Sequence, residues 1–277
     1  MNLLYLKYFC DAAKFSSISH SAKANFVSQS AISQGIHKLE KELGKELIVH
    51  RQNRFRITQE GEMVLKKSRE IFQAVESLKL ALSAEDNEVA GKVEFAAMHS
   101  FALAVLPGKL KELKKQFPKV QVNFRLGHTG LMKEWVRKGV IDCGIVLDNE
   151  DLSGFQCHQL YKGQYRLYRS TKSKDCDLPF ILSEDLMETN LLRKAYRKKY
   201  GKELPVLMQV QSWEVIAKLT EEGLGIGFFP DYVAINKKGL EEYSLKLEPI
   251  SYKVYAIFQE DSRLNKCQEA FLEVFTT

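Results

Sequence analysis

The feature that most constrains the fold of this 277-residue chain is a one-sided apolar stripe in a short, sharply bounded segment. Between Ser28 and Gly44, Ile32, Ile36, Leu39 and Leu43 recur at spacings of four, three and four. Such spacing is one face of an α-helix. The Ser28 hydroxyl can accept from the free N–H groups of the first turn, and Gly44 stands where a left-handed cap belongs. Upstream, Leu3, Leu6, Phe9 (with Cys10) and Ala13 predict a helix over 3–15, broken by Ser16 and Ser17, which offer an N-cap for the next segment. A shorter helix over 18–25 follows, with Ile18, Ala22 and then Phe26 expected inward, and Val27-Ser28-Gln29 forms a tight turn. Two short helices joined by about three residues are the helix-turn-helix layout.

The face of the third helix opposite its stripe carries Ser30, Ser33, Gln34, His37, Lys38 and Lys41. These hydrogen-bonding and cationic side chains suit base edges and phosphates. Two short strands are expected next, around Leu47–His50 and Phe55–Thr58, with Arg51-Gln52-Asn53-Arg54 as a cationic hairpin tip. A basic hairpin in that position is a wing, able to touch phosphates or the minor groove. Charge agrees: residues 1–69 hold 12 Lys/Arg against 6 Asp/Glu, whereas residues 70–277 hold 29 of each. A basic head on a neutral body implies a polyanion partner for the head alone. Composition does not separate nucleic acid from an anionic membrane surface.

Residues 59–84 read as one long helix. Val64, Ile71, Val75, Leu78 and Leu82 fall on a 3.5-residue repeat with Ser68 in the vacant slot, a coiled-coil seam that needs a partner, most simply a second copy. The small, acidic stretch 83–91 reads as a hinge. From residue 92 strands alternate with helices. Strands are expected at Val93–Ala97, Val120–Leu126, Cys143–Leu147, Tyr165–Arg169, Pro179–Leu182, Val206–Val210, Gly225–Phe229 and Val254–Phe258, and helices over 101–117, 130–138, 185–200 and 213–222. The body is therefore α/β, with mainly parallel strands and enough length for two lobes.

No catalytic constellation stands out in that body. It has no phosphate-binding Gly-rich loop ending in Lys-Ser/Thr, no GxSxG elbow and no clustered metal ligands. The glycines of Gly223–Pro230 lack the dinucleotide fingerprint. Five scattered cysteines, Cys10, Cys143, Cys157, Cys176 and Cys267, form no CxxC pair and read as reduced thiols. A redox sensor would need an exposed thiolate near positive charge, with Cys157 and Cys176 the least apolar in context. The body does offer hydroxyls where strands run into helices: Ser100, Thr129 and Ser212, with His99 and His128 at strand ends. Such points either cap their own helix or bind small anions, and three together suggest a ligand cleft.

Over essentially its whole length the chain resembles the LysR-type transcriptional regulators. The most specific stretch is 16–61, with Ser28-Gln29, Ala31-Ile32-Ser33, Leu39-Glu40, Leu43-Gly44, Leu47, Thr58 and Gly61 at the family's spacing. Looser matches follow at Leu106-Pro107, Phe117-Pro118, Gly139 with Asp142, Pro179 with Ile181-Leu182, and Gly223-Leu224-Gly225-Ile226 with Pro230. The resemblance implies a winged helix-turn-helix, a long dimerising linker helix and a two-lobed, periplasmic-binding-protein-like (type 2) effector domain. It implies that Gln29, Ser30, Ser33, Gln34 and His37 face the major groove, that Arg51 or Arg54 serves the wing, and that Ser100 and Thr129 line an effector cleft. Departures are Ser30 where Pro is common, Ile48 for Phe, His50 for the wing Arg, and Gln164 for a frequent acid. Either Arg51 or His50 then makes the wing contact.

The resulting expectations are specific. Residues 1–60 form the DNA-binding domain, 61–88 the linker helix and 89–277 the effector domain, with lobe one at 89–161 and 262–277 and lobe two at 162–261. DNA contacts fall to Ser28, Gln29, Ser30, Ser33, Gln34, His37, Lys38, Arg51 and Arg54. Effector contacts fall to His99, Ser100, His128, Thr129, Arg193 and Ser212, with a small anion slightly favoured. The partners are double-stranded DNA, a second copy as dimer or tetramer, and RNA polymerase as a candidate. No metal, cofactor, enzymatic activity or membrane is expected, and the N-terminus does not read as a signal peptide, which makes the location cytoplasmic. The alternative is a small-molecule binding protein whose basic head docks on a non-DNA partner.

Overall fold

Each early helix ends where its backbone chemistry allows. Helix α1 (Leu3–Phe15) stops at Ser16, which takes left-handed dihedrals. Helix α2 (Ile18–Asn25) starts on Ser17, whose hydroxyl accepts from the His20 N–H at 3.2 Å. Helix α3 (Gln29–Leu43) starts on Ser28, which accepts from the Ala31 N–H at 3.2 Å, and stops at Gly44 with φ 66°. The computed structural model describes residues 1–51, 54–83, 89–173, 178–184 and 186–276. In its first domain Leu6, Phe9, Ala12, Ala13, Ala22, Ile32, Ile36, Leu39 and Leu47 form one buried cluster. Each fully buried Leu, Ile or Phe contributes roughly 1.5–3 kcal/mol.

Two residues expected inward point outward. Leu43 is exposed at the last turn of α3. Phe26 is 95% exposed and left-handed, with φ 55°. The cause lies one residue earlier. The Asn25 amide donates to Asp11 Oδ2 at 2.7 Å and to the Ser21 carbonyl at 2.9 Å, and α2 closes there. The chain then reverses at Phe26 and carries its ring away from the core.

Strands β1 (Ile48–Arg51) and β2 (Arg54–Ile57) pair antiparallel from Ile48↔Ile57 to Arg51↔Arg54, within a residue of expectation. Thr58 joins them to helix α4 (Gln59–Ser83): its hydroxyl donates to the Glu46 carbonyl at 2.7 Å and accepts from the Gly61 N–H at 2.9 Å. A Cβ at Gly61 would lie 2.3 Å from the Leu47 carbonyl oxygen, so only glycine fits. The seam of α4 divides in two. Val64 and Ile71 pack on the first domain's own core and Ser68 is buried, its hydroxyl bonded to the Val64 carbonyl at 2.6 Å. Leu78 is exposed, while the Leu82 side chain lies outside the described residues. Half of the expected coiled-coil stripe is thus used within the chain.

Among the described residues the body is a nine-stranded sheet ordered β4-β3-β5-β11-β6-β9-β7-β8, with β10 beside β6. One parallel group comprises β3 (Gly91–Ala97), β4 (Val120–Leu126) and β5 (Cys143–Leu147). A second comprises β7 (Phe180–Leu182), β8 (Val206–Gln209) and β9 (Ile226–Pro230). Between them run two long antiparallel strands, β6 (Phe155–Ser170) and β11 (Ile250–Gln259), and β10 (Leu240–Tyr243) also pairs antiparallel with β6. The expectation of mainly parallel strands therefore holds inside each lobe and fails between them. Strand β6 extends upstream of the expected Tyr165–Arg169, through Lys162 and Gly163, residue types depleted in strands. Strand β11 joins the first lobe by pairing Val254 with Leu147, ahead of the expected return at residue 262.

The expected helix over 101–117 is two, α5 (His99–Ala104) and α6 (Leu106–Gln116), divided just before Pro107. Proline cannot donate to the preceding turn and restarts a helix at its first positions. Helices α7 (Thr129–Lys138), α8 (Met187–Tyr200), α9 (Trp213–Glu221) and α10 (Lys266–Thr276) complete the layers, with a 3-10 turn at Asp231–Ala234.

A left-handed Phe costs about 1–2 kcal/mol, which Asn largely avoids. Phe26→Asn should therefore raise the melting temperature of the full chain by a few degrees, read by circular dichroism. An unchanged or lower value would mean that the exposed ring contributes to folding.

Candidate nucleic-acid interface and interlobe site

The outward face of α3 is what burial of its stripe leaves over. Ser28, Gln29, Ser30, Ser33, Gln34, His37, Lys38 and Lys41 are all exposed. Ser28 and Ser30 hydroxyls lie 2.8 Å apart. Lys38 Nζ sits 5.6 Å from the Tyr5 ring centre, a cation–π distance that holds its stem against α1. His37 Nδ1 is 3.9 Å from Glu40 Oε2, with its ring in solvent. The face is a contiguous set of hydroxyl, amide and ammonium groups on a rigid helix.

Glu40 fixes the wing to that helix. Its Oε1 accepts from the Leu47 N–H at 2.8 Å and the Ile48 N–H at 3.1 Å, tying the end of α3 to the start of β1. The sequence reading saw Glu40 only as part of a family motif. The signal available was an acid one turn from the helix end, just ahead of a strand. The side chains of His50, Arg51 and Arg54 and the hairpin tip at 52–53 lie outside the described residues, so the wing contacts expected there are not described.

In the body, the residues expected at a ligand cleft divide into groups. His99 and Ser100 open α5; Ser212 precedes α9. Elements far apart in sequence bring these three near one another. Ser100 Oγ is 2.9 Å from the Tyr232 hydroxyl, and His99 Nδ1 is 3.3 Å from Glu214 Oε1. Ser212 donates to Glu214 Oε2 at 2.5 Å and accepts from the Val215 N–H at 3.3 Å, so it caps its own helix. Ser100 does not cap α5; its hydroxyl is committed to Tyr232. At α7 the cap is His128, whose Nδ1 accepts from the Leu131 N–H at 3.3 Å, while Thr129 is buried as the first helical residue. His128 and Thr129 share the strand end of His99, through the Gly127 N–H bond to the Ala97 carbonyl at 3.2 Å. Arg193 lies along α8, half-buried, apart from these contacts.

Sequence reasoning missed the aromatic floor of this region. Tyr232 is fully buried and packs edge-on against Phe101 at 5.6 Å and Tyr252 at 5.7 Å. Tyr252 donates to Asp231 Oδ1, whose other oxygen accepts from the Gln164 N–H at 2.9 Å. Burial pushes the Tyr165, Tyr232 and Tyr252 phenols far above the usual tyrosine range, so all three stay neutral. Tyr165 packs edge-on against Trp213 at 5.9 Å and Tyr252 at 5.1 Å.

The cysteines give no redox centre among the described residues. Cys143 and Cys267 are buried, Cys10 is half-buried, and Cys157 is exposed, while burial pushes the thiols of Cys143, Cys157 and Cys267 upward. Cys176 lies outside the described residues. Among the described residues no helix is long and apolar enough to cross a membrane.

A winged helix-turn-helix carrying a bilobal α/β body is the layout of a DNA-binding protein with a ligand-binding domain. The family model for bacterial regulatory helix-turn-helix proteins of the lysR family matches residues 3–62, and that for the LysR substrate binding domain matches 86–277. The HTH-type transcriptional regulator CysB of Burkholderia cenocepacia is 27% identical over 91% of this chain and 84% of its own length. The HTH-type transcriptional activator IlvY of Haemophilus influenzae is 24% identical over 84% of each. Among solved structures, a full-length OxyR variant from Pseudomonas aeruginosa superposes with TM-score 0.69 at 17% identity, covering 100% of this chain and 98% of that one. Vibrio fischeri DarR, solved in complex with DNA, superposes with TM-score 0.56 at 18% identity, covering 100% and 98%. The chain belongs to the LysR-type transcriptional regulators: it is a DNA-binding transcription regulator with an effector-binding domain.

The Ser100–Tyr232 bond joins residues from the two lobes. Tyr232→Phe leaves a buried hydroxyl unpaired and should cost about 1–2 kcal/mol by urea denaturation. Adding Ser100→Ala should recover part of that loss. Additive losses in the double-mutant cycle would show that the two hydroxyls do not interact in solution.

Proposed function

We propose that the protein acts as a dimer or tetramer, presenting pairs of α3 helices to two-fold related half-sites on duplex DNA. In this reading a small molecule bound between the lobes of the body alters how those pairs are spaced. The observation that carries it is the exposed polar face from Ser28 to Lys38, on a helix whose other face buries Ile32, Ile36 and Leu39. Lys38 and Lys41, together with the excess charge of the head, supply phosphate contacts that release counterions and make affinity salt-dependent. Gln29, Ser30, Ser33, Gln34 and His37 supply hydrogen bonds to base edges; a Gln amide suits adenine, and Ser suits any base. Arg51, Arg54 or His50 on the wing adds backbone or minor-groove contacts.

Self-association is supported by α4, which leaves Leu78 exposed beyond the part packed on its own domain. A second α4 laid against that segment covers it and relates the two heads by a two-fold axis. Lys66 on α4 pairs with Asp261, just after β11, which links the helix to the strand that enters both lobes. A ligand that binds one lobe arrangement better than the other shifts the population by that difference alone, and the shift is passed to α4. His99, Ser100, His128, Thr129, Arg193 and Ser212 are the effector contacts in this reading. The protein works in the cytoplasm, as a regulator rather than an enzyme, with RNA polymerase as its further partner and no metal or cofactor in its action.

Ser33→Ala with Gln34→Ala tests the base-reading role. The duplex would be recovered from fragments of the source genome by selection with the wild-type protein. Preference for it over random duplex should fall about tenfold or more, since each lost base contact is worth about 1–3 kcal/mol. Melting temperature and salt-dependent binding to random duplex should stay unchanged. Retained preference would move base reading elsewhere on the chain.

A further inference from the structure

Glu188 sits in the first turn of α8 and is 1% exposed. Neither carboxylate oxygen is hydrogen-bonded to another described residue, and no described Lys, Arg or His forms an ion pair with it. A carboxylate withdrawn from water without a partner costs several kcal/mol, which is why buried acids are normally paired. Among the other buried polar atoms of the same lobe that make no hydrogen bond in the described structure are the Tyr165 hydroxyl and the Trp213 indole N–H. Tyr165 is 7% exposed, and its ring meets that of Trp213 edge-on at 5.9 Å. Glu188 lies one turn ahead of Leu192 on α8, which lines one cavity with Tyr165, and the Tyr165 ring meets Tyr252, which meets Tyr232. Tyr232 in turn bonds Ser100 of the other lobe, so this group of unpaired atoms borders the interlobe seam.

We propose that Glu188 is the anionic anchor for a protonated amine, and that the effector of this regulator is a small cationic molecule. The proposal rests on reading the region between the lobes as the effector site. The anchor is supplied by the chain itself. The start of a helix favours negative charge, and here Glu188 occupies it, so an anionic ligand would meet a like charge where it would otherwise be welcomed. An ammonium group completes the carboxylate's hydrogen bonds and restores its charge balance. The faces of Tyr165 and Trp213 are the surfaces on which a cation is further stabilised. The indole N–H is a donor only, so the ligand also carries an accepting oxygen. An amino alcohol or an amino acid has both groups; sulfate and dicarboxylates have only the second. A cationic ligand departs from the slight preference for an anion that Arg193 and the two histidines suggest in the sequence. Ser100 and Ser212 are already committed to Tyr232 and Glu214, and the unpaired buried group is a carboxyl, whose pKa burial raises and a bound ammonium would lower again.

The test uses the full-length protein in thermal melts and titration calorimetry at matched ionic strength. The probes are L-lysine, ethanolamine and 1,4-diaminobutane against succinate and sulfate. At least one amine should raise the melting temperature, and Glu188→Gln should weaken its binding about tenfold or more, the loss expected for one charge-assisted hydrogen bond. Free Glu188→Gln protein should melt at or above the wild-type temperature, because the variant removes a buried carboxyl that lacks a countercharge among the described residues. The proposal is overturned if amine binding survives Glu188→Gln within about twofold. A lower melting temperature for free Glu188→Gln also overturns it, since the carboxylate would then serve the fold. A response to succinate or sulfate alone overturns the amine assignment and leaves the interlobe site standing. No response to any probe overturns both.

Discussion

Everything the head of this protein does depends on one packing event, the burial of Ile32, Ile36 and Leu39 of α3 against α1 and α2. Apolar side chains on one side of a helix leave the polar ones on the other, so orientation for DNA follows from hydrophobic burial alone. Glu40 then converts orientation into a composite surface. By accepting two backbone N–H groups at the start of β1, it sets the wing at a defined position beside the reading face. Gly61 continues the same logic, because α4 can leave the wing only where no Cβ obstructs the Leu47 carbonyl.

The body is organised by a different constraint. Its two parallel groups are each self-contained, and the antiparallel pair β6 and β11 is their main-chain junction. A register shift between Val254 and Tyr255 sits where β11 passes from one lobe to the other. Such irregularities bend a strand locally. The side-chain contacts across the seam, Ser100 with Tyr232 and His99 with Glu214, are few and polar. A few polar contacts over a bendable ribbon suit two lobes that must take more than one arrangement, as an effector-binding domain requires.

Much of the first domain was legible in the sequence because its signals are local. Ser17, Ser28 and Gly44 act on backbone groups within one helical turn, and the structure uses each as expected. Phe26 and Leu43 were misread for a shared reason. Both extend an apolar spacing past the point where the helix has anything left to pack against, and periodicity does not report where the core ends. The α4 seam was legible only in part, since a repeat identifies an apolar stripe but not its partner; Val64 and Ile71 pack within the chain, whereas Leu78 stays exposed. In the body, the strand-end hydroxyls were visible but their partners were not. Ser100 looked like a cap and is instead bonded to Tyr232, 132 residues away.

What the sequence by itself determined was the helix ends of the first domain, the polar reading face, the basic head and the strand-helix rhythm of the body. Those follow from period, capping chemistry and charge, all of which operate between near neighbours. Only the tertiary structure decided how the lobes join, which hydroxyls remain available, and that Glu188 is buried with no ion pair among the described residues. These depend on which distant segments meet, and the energy of a buried polar group is set by its surroundings rather than by its place in the chain.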